Sequence, residues 1–218
     1  MTLFDWSYAA QILPDLLRAS LNTVGITLIG FVIAIVLGLF LAIGRRSRKF
    51  WLSWPATAVI EFIRSTPLLI QVYFLYYVLP NYGLSLTAMQ VGIVGIGLHY
   101  ACYIAEVYRS GLDAVPRAQW EAVTALNIAP YDAYRNIILP QALRPIVPPL
   151  GNYLVAMLKD TPVLSAITVV EIMQQAKNIG SEHFRYLEPI TLVGLFFLAL
   201  SLALAWLVRR LETRMELR

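Results

Sequence analysis

EVYRSGLDAVPRAQWEAVTALNIAPYDAYRNIILPQALRPIVPP, residues 106–149, is the longest polar interval in a chain that is otherwise mostly apolar. It lies between hydrophobic segments long enough to cross a bilayer, and its pattern is that of two short helices joined by a turn. Residues 116–126 form the first, with Pro116 near its start, where a missing N–H costs nothing. Asn127 follows as a left-handed stop, a conformation that Asn tolerates better than most residues. Pro130 opens the second helix, and Asp132 sits in its first turn, where a negative charge suits the helix dipole. That helix is expected to end near the Leu139–Pro140 step and the proline-rich run Arg144-Pro145-Ile146-Val147-Pro148-Pro149. A folded polar helix pair at a membrane surface needs something to dock on.

The surrounding composition sets the class. Of 218 residues, 59% are hydrophobic and 14% charged, and the mean hydropathy is +0.67. A soluble domain has about 45–50% apolar and about 25% charged residues, so this is an all-α polytopic membrane protein. A span needs about 20 mainly apolar residues, and five stretches qualify: residues 21–43, 55–79, 86–104, 146–170 and 189–208. The second and fourth carry internal charge and proline. Residues 1–18 have no basic n-region and are interrupted by Asp5, Pro14 and Asp15, so they are expected to form a short amphipathic surface helix rather than a secretory signal. With no repeat and no low-complexity tract, residues 1–218 read as one domain with its core over about 19–210.

Charge gives the orientation. Arg45, Arg46, Arg48, Lys49, Arg109, Arg117, Arg135, Arg144, Arg209, Arg210, Arg214 and Arg218 fall on one side of the five spans, against Arg18, Lys177 and Arg185 on the other. The positive-inside rule makes the first side cytoplasmic. The N-terminus is then outside, the C-terminus inside, and the 106–149 interval cytoplasmic. The net charge of +4 needs no nucleic-acid partner, because most basic residues flank spans. The single cysteine, Cys102, cannot form an intramolecular disulfide and reads as packing.

Within the first span, Gly30, Ala34, Gly38 and Ala42 recur every fourth residue and line one face. Such a stripe lets helices approach closely, inside the subunit or between subunits. Intramembrane charge usually faces a cavity or a partner. The second span holds Glu61 and Arg64, which helix spacing allows to pair, followed by Ser65, Thr66 and a kinking Pro67. The fourth holds Lys159, Asp160, Thr161 and Pro162. Counting about 1.5 Å per residue from the cytoplasmic side puts Arg64 and Asp160 in the middle part of the bilayer. Either these groups pair among themselves and hold the bundle together, or some of them line a path for a polar solute, as at the broken helices of transporters. Glu106 and Arg109 again have pair spacing near the cytoplasmic mouth.

Nothing points to an enzyme. His99 and His183 lie on opposite sides of the membrane in this topology, no cluster has metal-ligand spacing, and there is neither a phosphate-binding glycine loop nor a nucleophile elbow. No metal or cofactor is expected. If transport is active, ATP must be bound by a partner, and the polar helix pair is the natural surface to receive it.

Glu121-Ala122-Val123, Asn127 and Ile137-Ile138-Leu139-Pro140 resemble the cytoplasmic EAA signature of bacterial ABC-importer permeases. Val123 stands for the second alanine of that signature and Asn127 for its glycine. EFIRSTPLLIQ (61–71), YIAEVYR (103–109) and LKDT (158–161) are similar to the polar-amino-acid branch. The resemblance implies the type I importer (MetI-like) fold in the bacterial inner membrane. It also implies a second permease subunit, identical or different, two cytoplasmic ATPase subunits and an external solute-binding protein. Glu121, Ala122, Asn127, Leu139 and Pro140 would belong to the ATPase-coupling region, and alternating access would be driven by ATP binding to the partner. A narrower similarity, over Trp120-Glu121-Ala122 with Ala125-Leu126-Asn127, KDTPVLSAITVVE (159–171) and QQAKNIGSEHFRYLEP (174–189), is to ectoine and hydroxyectoine permeases. A zwitterion suits a path offering Arg64, Thr66, Asp160 and Thr161, and glutamine or another polar amino acid or opine suits it equally. The competing class is a self-contained channel or ion-driven carrier.

Overall fold

A computed structural model describes residues 4–216. Residues 1–3, 217 and 218 lie outside the described residues, and with them Arg218 of the basic set and the start of the expected N-terminal helix. Among the described residues the chain is helical, without strands. In order come α1 (Trp6–Arg45), α2 (Phe50–Arg64), α3 (Leu68–Tyr73), α4 (Ala88–Asp113), α5 (Arg117–Ala125), α6 (Pro130–Ala133), α7 (Leu139–Asp160), α8 (Ile172–His183) and α9 (Leu187–Glu216). α1, α4 and α9 are each long and apolar enough to cross a membrane. The other two expected spans are broken. Phe50–Arg64 and Leu68–Tyr82 meet at 106°, and Pro130–Ile167 meets Ile172–His183 at 46°.

α1 and α4 form the centre. The stripe Gly30, Ala34, Gly38 and Ala42 is buried, and it faces α4. At Gly38 a Cβ would stand 2.9 Å from the Ala101 carbonyl oxygen, so only glycine permits this approach. Ile26, Ala34, Ile96, Ala101 and Ile104 continue the core into Met157 and Leu164 of the fourth span. Cys102 is buried as packing in a neighbouring cluster with Ala42, Ile60, Ile63 and Ala105.

The expected surface helix over residues 1–18 is instead the first third of α1, which runs unbroken for 40 residues. Asp5 caps it, accepting from the Ser7 and Tyr8 amides at 3.0 and 3.1 Å. With the Ser7 hydroxyl foremost among its donors, the Asp5 carboxyl falls to about 2. Ile12 and Leu16 are buried against Ile172, Ala176 and Ile179 of α8 and Val193 of α9. The amphipathic pattern was real, but its apolar side is covered by protein.

The second correction concerns residues 139–149. The polar helix does not stop at Leu139–Pro140. The backbone widens into a π-helical turn over Tyr134–Ile138 and continues straight into α7, with Pro145, Pro148 and Pro149 inside the helix. Pro140 falls at the start of α7, next to the widened turn, where the regular bonding pattern is already interrupted. α7 then ends at Asp160, inside the expected fourth span. A 3-10 turn over Thr161–Ile167 follows, and left-handed Thr168 (φ 61°) turns the chain into α8.

Candidate functional site

Three groups of residues stand out, strung along α4 from the arginine-rich end into the interior. The first is α5. As expected, Pro116 precedes it, and Asn127 is left-handed at φ 51°. The Ile128 amide reaches back to the Val123 carbonyl at 3.1 Å, closing the helix end. No residue of α5 is buried. Trp120 ties it to the body, packing edge-on against Tyr134 with ring centroids 5.6 Å apart and joining the cluster of Val115, Ile138 and Ala142. Glu121 and Ala122 are exposed, as are Leu126 (72%) and Tyr131 (68%) beside them. Leu139 and Pro140 are exposed at the start of α7. The α5–turn–α6 unit thus exposes a carboxylate, a small residue and two large side chains together.

The second group is a chain of ion pairs linking α2, α1 and α4. Arg45 donates to Glu106 at 2.6 Å and lies 3.2 Å from Glu61. Glu106 also receives Arg109 at 3.0 Å, Arg109 reaches Asp113 at 3.0 Å, and Asp113 receives Arg46 at 2.6 Å. Arg46 stands 5.9 Å from the ring centre of Trp120, so the chain ends on α5. The expected Glu106–Arg109 pair forms. The Glu61–Arg64 pair does not, because Glu61 turns across to α1. Lys159 is exposed and makes no ion pair among the described residues.

The third group lies where the two broken spans meet α4. Tyr100 donates to Asp160 at 2.6 Å, and the Arg64 guanidinium sits over Tyr103 at 5.3 Å. Tyr100, Tyr103 and Tyr153 form a triangle with centroid separations of 6.2, 6.0 and 5.8 Å. Arg64 and Asp160 are thus brought to one tyrosine cluster from opposite breaks. Thr66 and Thr161 serve the breaks themselves. The Thr66 hydroxyl donates to the Phe62 and Ile63 carbonyls, and the fully buried Thr161 donates to the Leu158 carbonyl at 2.8 Å.

Sequence reasoning missed Gln71. Its Nε2 lies 2.7 Å from the Ile63 carbonyl, 3.0 Å from the Thr66 carbonyl and 2.8 Å from the Thr66 hydroxyl, while its Oε1 meets His99 Nδ1 at 3.0 Å. It bridges the carbonyls freed by the Pro67 break and ties the break to α4. The available signal was an amide four residues after a proline inside a span.

Residues 34–217 match the family described as binding-protein-dependent transport system inner membrane component. The chain belongs to this family. Inner membrane components of this kind are parts of transport systems, not enzymes, in agreement with the reading of the sequence. The chain is 44% identical to the probable amino-acid ABC transporter permease protein y4tG of Sinorhizobium fredii, over 98% of this chain and 93% of that one. To the glutamine transport system permease protein GlnP of Escherichia coli K12 it is 34% identical, covering 98% and 99%. A crystal structure of an amino acid ABC transporter with histidines superposes with a TM-score of 0.93 at 31% identity, covering 98% of this chain and all (100%) of that one. The inward-facing MetNI methionine transporter superposes at 0.75 with 21% identity, covering 94% and 98%, a likeness of fold. The all-helical MetI-like architecture expected of an inner membrane component is therefore the one observed.

Proposed function

We propose that this chain is the permease subunit of an amino-acid ABC importer that takes up a small zwitterion. The observation carrying this reading is the placement of Arg64 and Asp160, one at each broken span, beside the same three tyrosines. A solute with a carboxylate and a cationic nitrogen finds an opposite charge for each end, and the aromatic faces favour the cation. The relatives named for amino acids and for glutamine favour a polar amino acid. Ectoine or hydroxyectoine is the narrower form of the same proposal, supported by the 159–171 and 174–189 stretches.

In this reading the arginine-rich end is cytoplasmic and the N-terminus outside. α5, with Glu121, Ala122 and Asn127, enters a groove on a partner ATPase, and Leu139 and Pro140 support it from the start of α7. A second permease subunit completes the pathway, two ATPase subunits bind the ATP, and a solute-binding protein delivers the solute from the other side. Glu61, Glu106 and Arg109 hold the cytoplasmic end together rather than touching solute. Lys159 has no carboxylate to pair with among the described residues, so it faces water or a partner subunit.

Radiolabelled uptake in cells carrying the cognate binding protein, competed with ectoine, glutamine and arginine, tests the substrate class. Competition by ectoine or glutamine supports it, and competition by arginine alone, a net cation, or by none of the three sinks it. Transport by the purified subunit alone in liposomes would make the protein a self-contained carrier instead.

A further inference from the structure

A cavity of about 640 Å³ opens between the ends of α1 and α4, α5 and the π-helical turn after α6. No step of the proposed transport role uses the space itself. Its lining includes three arginines, Arg46, Arg48 and Arg109. Arg46 and Arg109 share Asp113, and Arg109 also engages Glu106. Arg48 is exposed and makes no ion pair among the described residues. The connected ion pairs balance, three carboxylates (Glu61, Glu106, Asp113) against three arginines (45, 46, 109), so Arg48 adds one positive charge to the cavity lining beyond them. Arg46 uses one of its five donors on Asp113, which leaves others for a ligand.

On α1 the lining turns apolar within two turns of Arg46. Leu39 and Ile43 lie there, 47% and 61% exposed, and Phe40 (66%) extends the same surface along α1. Tyr108, Trp120 and Tyr134 complete the lining. Such side chains, apolar with a polar tip, suit the depth where headgroups meet acyl chains. A free phosphate would gain from the arginines and nothing from the rest. A phospholipid with an anionic headgroup matches both the arginines and the apolar residues, and basic pockets between spans are where such headgroups bind.

We propose that this cavity is a binding site for an anionic phospholipid, its phosphate held by Arg48 and Arg46 and its acyl chains lying on Leu39, Ile43 and Phe40. A lipid so placed touches Trp120 and braces α5 against α1.

The test uses the whole transporter, purified in mild detergent and examined by native mass spectrometry with added phosphatidylglycerol or phosphatidylcholine. The wild type is expected to retain phosphatidylglycerol in preference to phosphatidylcholine. Arg48→Ala should weaken retention about five-fold, the worth of one basic residue near an anionic surface, and Arg48→Glu about 25-fold. Arg48→Lys should restore most of the binding, and unchanged thermal unfolding would show that the variants are folded. Equal retention by wild type and both weakening variants would overturn the proposal. So would equal retention of the two lipids, or displacement of phosphatidylglycerol by inorganic phosphate, which would mark a plain anion site. Binding to the isolated subunit but not to the assembled transporter would mean that a protein partner fills the cavity, and would overturn it as well.

Discussion

Replacing Gln71 by leucine removes a side chain of similar size that makes four polar contacts at the break in the second span. The Ile63 carbonyl keeps the Thr66 amide at 3.3 Å and the Thr66 hydroxyl at 3.2 Å. That hydroxyl in turn keeps both of its carbonyl acceptors. Two groups lose their partner: the Thr66 carbonyl and the His99 ring nitrogen. The orientation of the amide is forced, since its nitrogen faces three oxygens, so Oε1 accepts and His99 Nδ1 carries the hydrogen. Orphaning one polar group away from water costs about 1–3 kcal/mol, which for two makes about 2–6 kcal/mol. For a chain of this size each kcal/mol moves the midpoint by about 2–4 °C, so Gln71→Leu should lower the Tm of the purified transporter by about 10 °C. Gln71→Glu keeps an acceptor for His99 but sets a carboxylate oxygen against the Ile63 and Thr66 carbonyls, and should melt at least as low as Gln71→Leu. In a double-mutant cycle with His99→Leu the coupling should be about 1 kcal/mol, the value of the one shared bond. A Gln71→Leu variant melting within about 2 °C of wild type, with unchanged uptake, would show that the Pro67 break needs no clamp.

Glu121→Lys reverses the exposed charge on α5 and should weaken ATPase association by about 2 kcal/mol or more, roughly 30-fold, with membrane insertion unchanged in fractionation assays. Asp160→Asn keeps an acceptor for Tyr100 but removes the charge. Uptake should fall at least tenfold, about 1.4 kcal/mol, with ATPase pull-down unaffected. Gly38→Val forces a side chain against the Ala101 backbone and should cost about 1–3 kcal/mol, read as a lower Tm. Asn127→Val should cost about 1–2 kcal/mol at the end of α5 and reduce coupled ATPase activity, whereas Asn127→Gly should be neutral.

What could be read in the sequence is what depends on neighbours along the chain. Hydropathy marks the spans, the fourfold spacing of Gly30 to Ala42 marks the close face, and the α5–turn–α6 unit follows from Pro116, Asn127 and Pro130. The Glu106–Arg109 pair is one helical turn long and forms as spaced. Glu61 and Arg64 have the same spacing and do not pair, because each finds a better partner on another helix: Arg45 on α1 and Tyr103 on α4. That choice depends on how α1, α2 and α4 are packed together, which no local pattern contains. The single 40-residue α1 was hidden for the same reason. Asp5, Pro14 and Asp15 interrupt the apolar run and suggest a short surface helix until α8 is known to cover Ile12 and Leu16. The prolines of α7 show the limit of local rules. A widened turn just ahead lets a helix pass where proline alone predicts a stop.

α4 has a consequence for how motion at α5 reaches the interior. Tyr103 and Glu106 lie one turn apart on α4, as Arg64 and Glu61 do on α2, and the two helices are joined at both levels: Arg64 on Tyr103, and Glu61 to Glu106 through Arg45. One turn further along α4, Arg109 and Asp113 carry the same chain of charges to Arg46 and so to Trp120. A displacement of α5 therefore meets α4 through ionic contacts that can exchange partners, not only through fixed apolar packing. The α1–α4 interface, with the Ala101 backbone close over Gly38, has no such freedom. Relative movement should concentrate between α4 and the half-broken second span, whose hinge at Pro67 is held by Gln71. Arg64 lies just before that hinge, so a change of bend there would shift its charge relative to Asp160 while Tyr100 keeps Asp160 in place.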